Sequence, residues 1–535
     1  MKKTIIKISL VAALFATGCT KKFDALNTDP TQASAATFDA NLLLPSGELG
    51  YVGATTGYSG PMLFQSMWIQ SFASAIYPGY YSNGDKYVQG GSYLSYQAST
   101  WNGGYQAASY LREAQTLAKD NANLTNLSGI AKILELLNIE AITDVYGDIP
   151  YSQSLQAKTG ISQPVYDKQQ DIYNGMLAKL DSVLPTLNAA KPKPTNDASS
   201  YKGDVAMWKK FGYSLMLRMA MRLTKVDAVT AKKYAEKAYA SGVFAANADN
   251  AYLVYDNANG FHNNNTAALV TGEDYSEVKW GKALIDYLKS NADPRLGVIA
   301  EVPQPGTKNA AIQTLAGDAT PAKQQGMPNG FDQNGGATDI SHAPAYPGGT
   351  GTGADLNVTG AYSRPTTALY LSLNAPTFML TYAQTEFLLA EAAVRGWAVG
   401  ASAAVHYSNA LAAAITTLGT FNAAGTISAA TATAYASTHP LDVSTTDNSL
   451  KQINTQYWVY ESTIFDFDEA WSNWRRSGYP VLTPVVYPGN FTSGTIPRRQ
   501  SYPTGEASAN PANYKTAVTG LTGGDTYAAR VWWDK

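Results

Sequence analysis

From residue 449 to residue 478 (SLKQINTQYWVYESTIFDFDEAWSNWRRSG) the apolar positions Ile453, Tyr457, Tyr460, Ile464, Phe467, Trp471 and Trp474 recur at steps of four and three. That is the period of a helix, not the alternation of a strand. No proline interrupts the run, and its only glycine is Gly478. Asn448 is placed to cap the start. Arg475 and Arg476 fall in the last turn, where cations suit the helix dipole, and Gly478 followed by Pro480 ends it. Read as unbroken, at a rise of about 1.5 Å per residue, the stretch is a rod of roughly 40 Å. So aromatic a stripe needs an equally large apolar surface to lie on, which the rest of the chain must supply.

The same period recurs upstream. Residues 61–77 (PMLFQSMWIQSFASAIY) predict a proline-led helix ended by Pro78 and Gly79. Residues 126–146 place Ile130, Ile133, Leu134, Leu137, Ala141 and Val145 on one face before Gly147 and Pro150. Residues 167–184 read as a helix capped by Asp167 and stopped by Pro185. Residues 101–119, 204–225, 230–241 and 276–290 are helical in pattern, and 375–397 pairs with 401–418 as a hairpin. Such successive pairs predict tetratricopeptide-like packing with a degenerate repeat. Residues 423–446, rich in Ala, Thr and Ser, read as a solvated excursion. Loops at about 77–100, 301–374 and 480–535 have a different texture, rich in Gly, Pro, Asn, Thr and Tyr. Long loops in a compact protein carry function. The predicted fold class is mostly α: degenerate tetratricopeptide-like helix pairs forming an α–α superhelix, with long irregular loops and a few short strands.

Composition narrows the partners. At 535 residues the chain has ample material for a core, and length alone would allow roughly three domains. A net charge of −2 with 15% charged residues gives no basic excess to release counterions, which excludes nucleic acid as the main partner. The chain holds 35 tyrosines and 10 tryptophans against 15 phenylalanines. Tyr and Trp join a flat apolar face to a polar tip, which suits half-wet surfaces and sugar faces.

Residues 1–18 read as a secretory signal, with Lys2, Lys3 and Lys7 before an apolar run too short to span a membrane. Ala16-Thr17-Gly18-Cys19 resembles a bacterial lipobox, with Ala16 where leucine is usual; ordinary secretory cleavage nearby is the other reading. Cys19, the single cysteine, would become the lipidated first residue, leaving no thiol for an internal disulfide. Two or more acyl chains there would anchor the chain stably. Residues 19–60 then read as a polar tether that wraps onto the body, and residues 61–535 as a single domain.

Several blocks say more than periodicity does. EAITDVYGDIPYSQSL (140–155), PVYDKQQDIYNGMLAKLDSVLPTL (164–187), GDVAMWKKFGYSLMLRMAMRL (203–223) and ADPRL (292–296) resemble the SusD/RagB family of nutrient-binding outer-membrane lipoproteins. TYAQTEFLLAEAAVRGW (381–397), WSNWRRSGYPVL (471–482), IPRRQSYPTGEASAN (496–510) and the closing VWWDK do so too, in the family's order. The starch-binding-like subgroup is the nearest. The resemblance implies a lipid-anchored, non-enzymatic protein on the outer face of the outer membrane. It would pair with a SusC-like TonB-dependent transporter, hold an oligosaccharide or peptide for uptake, and need no cofactor. Thr20-Lys21-Lys22 departs from the acidic residues that surface-exported lipoproteins of this kind often carry.

The candidate ligand-binding residues are aromatic. Tyr77, Tyr80, Tyr81 and Tyr87 lie in a glycine-bearing loop beside Trp68, and Tyr346 and Tyr362 lie in the central long loop. Asp466 and Glu469, with Asp468 between them, are the carboxylates that a lipid-anchored glycan hydrolase would use. The alternative is that they pair structurally with Arg218 and Arg222, for which Glu386 and Glu391 are other partners. A third reading is a structural lid of the transporter that binds no ligand. The histidines His262, His342, His406 and His439 have no metal-ligand spacing, and no metal site is expected. The oxygen-rich residues 332–339 would offer calcium ligands, though without the spacing of a known calcium loop.

Overall fold

A computed structural model describes residues 38–90, 93–305 and 314–535. The signal segment, Cys19 and the first part of the tether lie outside the described residues. The chain divides into a unit of residues 1–40 and a unit of residues 41–535, and the second is the body treated below. Among the described residues it is mostly helical, with 54% helix against 6% strand, which decides the fold class.

Antiparallel helix pairs build the body. Helix α1 (Leu44–Thr55) lies on α3 (Ser99–Ala118), which pairs with α4 (Thr125–Tyr146); between α1 and α3 comes the short α2 (Tyr80–Lys86). Next follow α5 (Gln169–Val183), the pair α6 (Val205–Arg222) and α7 (Ala228–Ser241), and the hairpin α8 (Tyr382–Val394) and α9 (Ala403–Thr416). Helices α10 (Thr446–Thr463) and α11 (Phe467–Ser477) close the core, α10 against α8 and α11 against α4. Four short antiparallel ladders tie distant loops together. Phe72–Ala73 pairs with Lys279–Trp280, Ile149–Pro150 with Tyr166–Asp167, Ala251–Leu253 with Thr377–Leu380, and Ala300–Glu301 with Arg364–Pro365.

Local chemistry explains most helix ends. The Asp204 carboxylate accepts the Ala206 and Met207 amides at 2.9 and 3.1 Å and starts α6. Gly478 ends α11 at φ +88°, a conformation that costs a glycine nothing.

Elsewhere the observed elements differ from the expected ones. The expected rod is two helices, broken where Phe465 stands at φ 65°. Its ring stacks on Tyr370 at 4.4 Å and lies 5.4 and 5.5 Å from Phe467 and Phe72. Burying Phe465 and Phe467 in one apolar site requires the chain to turn between them. Thr445, not Asn448, caps α10, its hydroxyl accepting the Asn448 amide at 3.1 Å. Asp167 does not cap α5: its carboxylate accepts the Tyr151 and Ser152 amides at 2.9 and 2.8 Å. Residues 61–77 are not one helix but a π turn, a helical turn at Gln65–Trp68 and the strand Phe72–Ala73. The end of the expected tether belongs to the body, because α1 buries Leu44, Tyr51 and Val52. Its low polarity was hidden by glycines and Pro45.

Buried ion pairs join these helices. Arg222 of α6 donates through Nε to Asp144 of α4 at 3.0 Å, and through both terminal nitrogens to Glu469 of α11 at 3.1 and 2.5 Å. Arg218, one turn earlier, pairs with Glu140 of α4. Arg476 of α11 grips Glu391 of α8 at 2.6 and 2.7 Å. The arginines and carboxylates of this lattice are all nearly inaccessible. Removing one member leaves the other charged and unsolvated, which costs about 3–5 kcal/mol. Arg222→Met is therefore expected to lower the unfolding free energy by about 3–5 kcal/mol in a urea titration.

Not every carboxyl in the lattice has an arginine to itself. Burial pushes Asp466 from its usual 3.8 up to about 7, and the Glu469 charge adds to the effect. Burial likewise raises Glu140 from 4.5 to about 7, against the pull of Arg218. Between about pH 4 and about pH 7 the folded chain thus keeps protons that the unfolded chain has shed, so this contribution to stability falls as pH rises. Glu391 and Glu469, held low by arginines despite their burial, act oppositely and lose their contribution as pH falls through the carboxylate range. The expected outcome is that Asp466→Asn shrinks the drop in melting temperature between about pH 5 and about pH 8. An unchanged drop would contradict the protonated Asp466.

Candidate binding face

The segment IYPGYYSNGDKY folds as a tight corner followed by α2. Gly84 lets α2 pack closely, since a Cβ there would stand 2.1 Å from the Leu63 carbonyl oxygen. The helix sends Tyr81 inward and leaves Tyr80 46% exposed. On the opposite side of the corner, the half-buried ring of Tyr77 meets that of Tyr487 edge-on, with centroids 5.4 Å apart.

A buried charge holds these two rings. Lys86 Nζ lies 5.9 Å from the Tyr77 centroid and 5.7 Å from the Tyr487 centroid, close enough for attraction to both π faces. It donates to the Ser74 carbonyl at 2.8 Å and to Asp85 at 3.2 Å. Asp85 in turn accepts Asn329 Nδ2 at 2.5 Å and the Gly330 amide at 2.8 Å. Tyr487 Oη donates to Asp332 at 2.6 Å, and Thr338 Oγ1 donates to the same oxygen at 2.8 Å. Burial pushes the Lys86 ammonium down and the Asp85 carboxyl up, opposed in each case by its partner. Three loops, 74–87, 329–338 and 485–487, are thereby fixed around one ammonium.

Two depressions flank this corner. One, of about 590 Å³, is lined by Gln70, Asp286, Asn329, Phe331, Val485 and the fully projecting Val486. The other, of about 650 Å³, is lined by Gly53, Gly57, Tyr58, Asn264, Thr271 and Asp274. At its edge Tyr58 lies 6.5 Å from Tyr96, and Tyr96 lies 5.8 Å from Tyr80. Clefts of this size, with an aromatic wall and a few polar groups, match small-ligand sites.

The structure separates the expected aromatics. Tyr77, Tyr80 and Tyr346 keep ring surface at solvent, Tyr346 with its hydroxyl donating to the Val358 carbonyl at 2.6 Å. Trp68, Tyr81, Tyr87 and Tyr362 are buried and present no free face, which corrects their expected role. Trp68 packs between Phe64 and Trp471 at 6.0 and 5.1 Å, Tyr81 donates to Asp274 at 3.4 Å, and Tyr362 joins a core with Ala73, Ala75 and Met327. Tyr58, Tyr96, Phe331 and Tyr487 were not singled out beforehand. The Tyr487 signal was its place in VVYPG within a proline-rich loop.

The carboxylates are structural in their surroundings. Asp466 accepts the Glu469 amide at 3.2 Å and starts α11, and Glu469 is held by Arg222 and by the Tyr457 hydroxyl at 2.7 Å. The space beside them is about 10 Å³, the room of one water, and admits no sugar ring. Glu386 meets His406 at 2.8 Å rather than an arginine. In the oxygen-rich loop Asp332 and Asp339 are taken up by protein donors. Asp332 accepts from Asn334, Thr338 and Tyr487, and Asp339 from Gly335 and Ser341. Among the described residues no group of three His, Cys, Asp or Glu side chains is placed to hold a metal ion.

Comparison with known proteins agrees with this architecture. A chitin-binding protein of known structure is 28% identical, with a TM-score of 0.76 over 93% of this chain and 100% of its own. A chitin-binding SusD homolog from Flavobacterium johnsoniae is 22% identical, with a TM-score of 0.70 over 92% of this chain and 98% of its own. A SusD homolog from Bacteroides fragilis is 21% identical, with a TM-score of 0.72 over 93% of this chain and 100% of its own. No curated protein matches the chain significantly. A SusD-like family model, described as starch-binding and associating with the outer membrane, matches residues 62–503. With that match running through the helix pairs and across the tyrosine corner, the chain belongs to the SusD-like family.

Proposed function

We propose that this protein is a surface glycan-binding lipoprotein, anchored through Cys19, that captures an oligosaccharide and delivers it to a TonB-dependent, SusC-like transporter. The observation that carries the reading is the Tyr77–Tyr487 pair, two rings fixed by a buried ammonium beside an open cleft of about 590 Å³. Rings fixed before the ligand arrives lose little conformational freedom on binding, and their flat faces match the C–H face of a pyranose. The family description and the chitin-binding relative at 28% identity support a glycan over a peptide. No chemistry on the ligand is part of the proposal, since Asp466 and Glu469 are spent on the helix lattice. Among the described residues no helix is long and apolar enough to cross a membrane.

Calorimetric titration of the chain with malto- and chito-oligosaccharides and with peptides tests this. Saturable heat with a glycan recovered intact is expected. Consumed glycan would favour the hydrolase, and no heat with any panel member would favour the non-binding lid. Tyr77→Ala and Tyr487→Ala are each expected to weaken binding about fivefold to tenfold, roughly 1 kcal/mol for one lost aromatic contact. Cys19→Ala is expected to move the protein from the membrane pellet to the soluble fraction; retention in the pellet would refute the anchor.

A further inference from the structure

A second groove, of about 620 Å³, opens where the C-terminal segment crosses the start of α5. It shares no lining residue with the two depressions of the tyrosine corner. Its walls include Asp148, Lys168, Gln170, Leu521, Arg530 and Trp532. Eight of the ten tryptophans are buried, and Trp397 and Trp532 alone reach solvent. Among the described residues none hydrogen-bonds the Trp532 indole N–H or sets an aromatic or cationic group on its ring, and Trp532 lines the groove.

This indole is not on a fraying tail. Val531 before it and Trp533 and Asp534 after it are buried. Trp533 Nε1 donates to Asp144 at 3.0 Å, and the guanidiniums of Arg475 and Arg222 lie 4.7 and 5.5 Å from its ring. Asp534 is paired with Arg498, and its amide donates to the Val531 carbonyl at 3.1 Å. With Trp533 drawn into the ionic core, the backbone turns Trp532 outward and holds it there. A half-buried indole held on a groove wall keeps apolar ring surface that a ligand entering the groove would cover.

Charged side chains line the groove as well, Lys535 among them. Lys168 pairs with Asp148 at 2.8 Å and Arg530 with Asp534 at 2.9 Å. Beside these charges the groove offers a flat indole, the apolar Leu521, and the amide of exposed Gln170 with the Thr522 hydroxyl. That set suits a polyhydroxylated ring with one apolar face. We propose that the Trp532 groove is a second site for an oligosaccharide, independent of the tyrosine corner.

Fluorine NMR of the full chain in detergent, labelled with 5-fluorotryptophan, tests this directly. The Trp532 resonance is assigned by its disappearance in Trp532→Phe, and maltohexaose and chitohexaose are the probes. A saturable shift of that resonance is expected with at least one probe. The shift is expected to persist in Tyr77→Ala/Tyr487→Ala and to vanish in Leu521→Arg, which fills the groove and keeps the indole. A resonance unmoved by both probes at saturation overturns the second site, as does a shift lost in the tyrosine double variant or kept in Leu521→Arg. The tyrosine corner is judged separately, by the affinity lost in its own variants, so either site can fail alone.

Discussion

The Arg222 guanidinium, reaching Asp144 on one side and Glu469 on the other, is the contact on which the body depends. It brings α4, α6 and α11 to one point, and Arg218 with Glu140 repeats the link one turn away. Arg476 and Glu391 extend the lattice to α8. A core that is only apolar tolerates sliding of helices past one another, whereas a bidentate guanidinium accepts a carboxylate in one orientation. The lattice therefore fixes helix register more than it adds net stability, because each buried charge has surrendered its hydration. Burial pushes the Asp466 and Glu140 carboxyls up to about 7, for Glu140 against the pull of Arg218.

The same logic recurs at the functional surface on a smaller scale. One buried ammonium, Lys86, holds Tyr77, Tyr487 and the Asp85-bound loop 329–330 in place. A rigid helical body behind and charge-locked loops in front hold these flat rings in position. Such rings would bury little area each against a ligand, which fits the proposed capture and release. The C-terminal groove is built likewise: Trp533 and Asp534 are bound into the ionic core, and Trp532 is displayed by that anchorage.

Much of this architecture follows from sequence alone. Helices at residues 125–146, 205–222 and 403–416 form where the apolar period placed them, because a side chain's position on a helix face is set by its near neighbours. Asp204 and Gly478 mark ends because capping is a local hydrogen-bonding matter. The block order from residue 140 to the closing tryptophans was enough to identify the family that the model match over residues 62–503 establishes.

Tertiary structure decided what depends on distant partners. The helix break at Phe465 leaves no Pro or Gly signal, since it arises from a stack with Tyr370 and Phe72. Tyr80 and Tyr81 are adjacent and identical, yet one is exposed and one is buried, a choice made by packing and by Asp274. Trp532 and Trp533 divide in the same way, with Asp144 and two arginines taking the second. A residue's type sets what it can bind, and only the fold sets which of its faces is left free to do so.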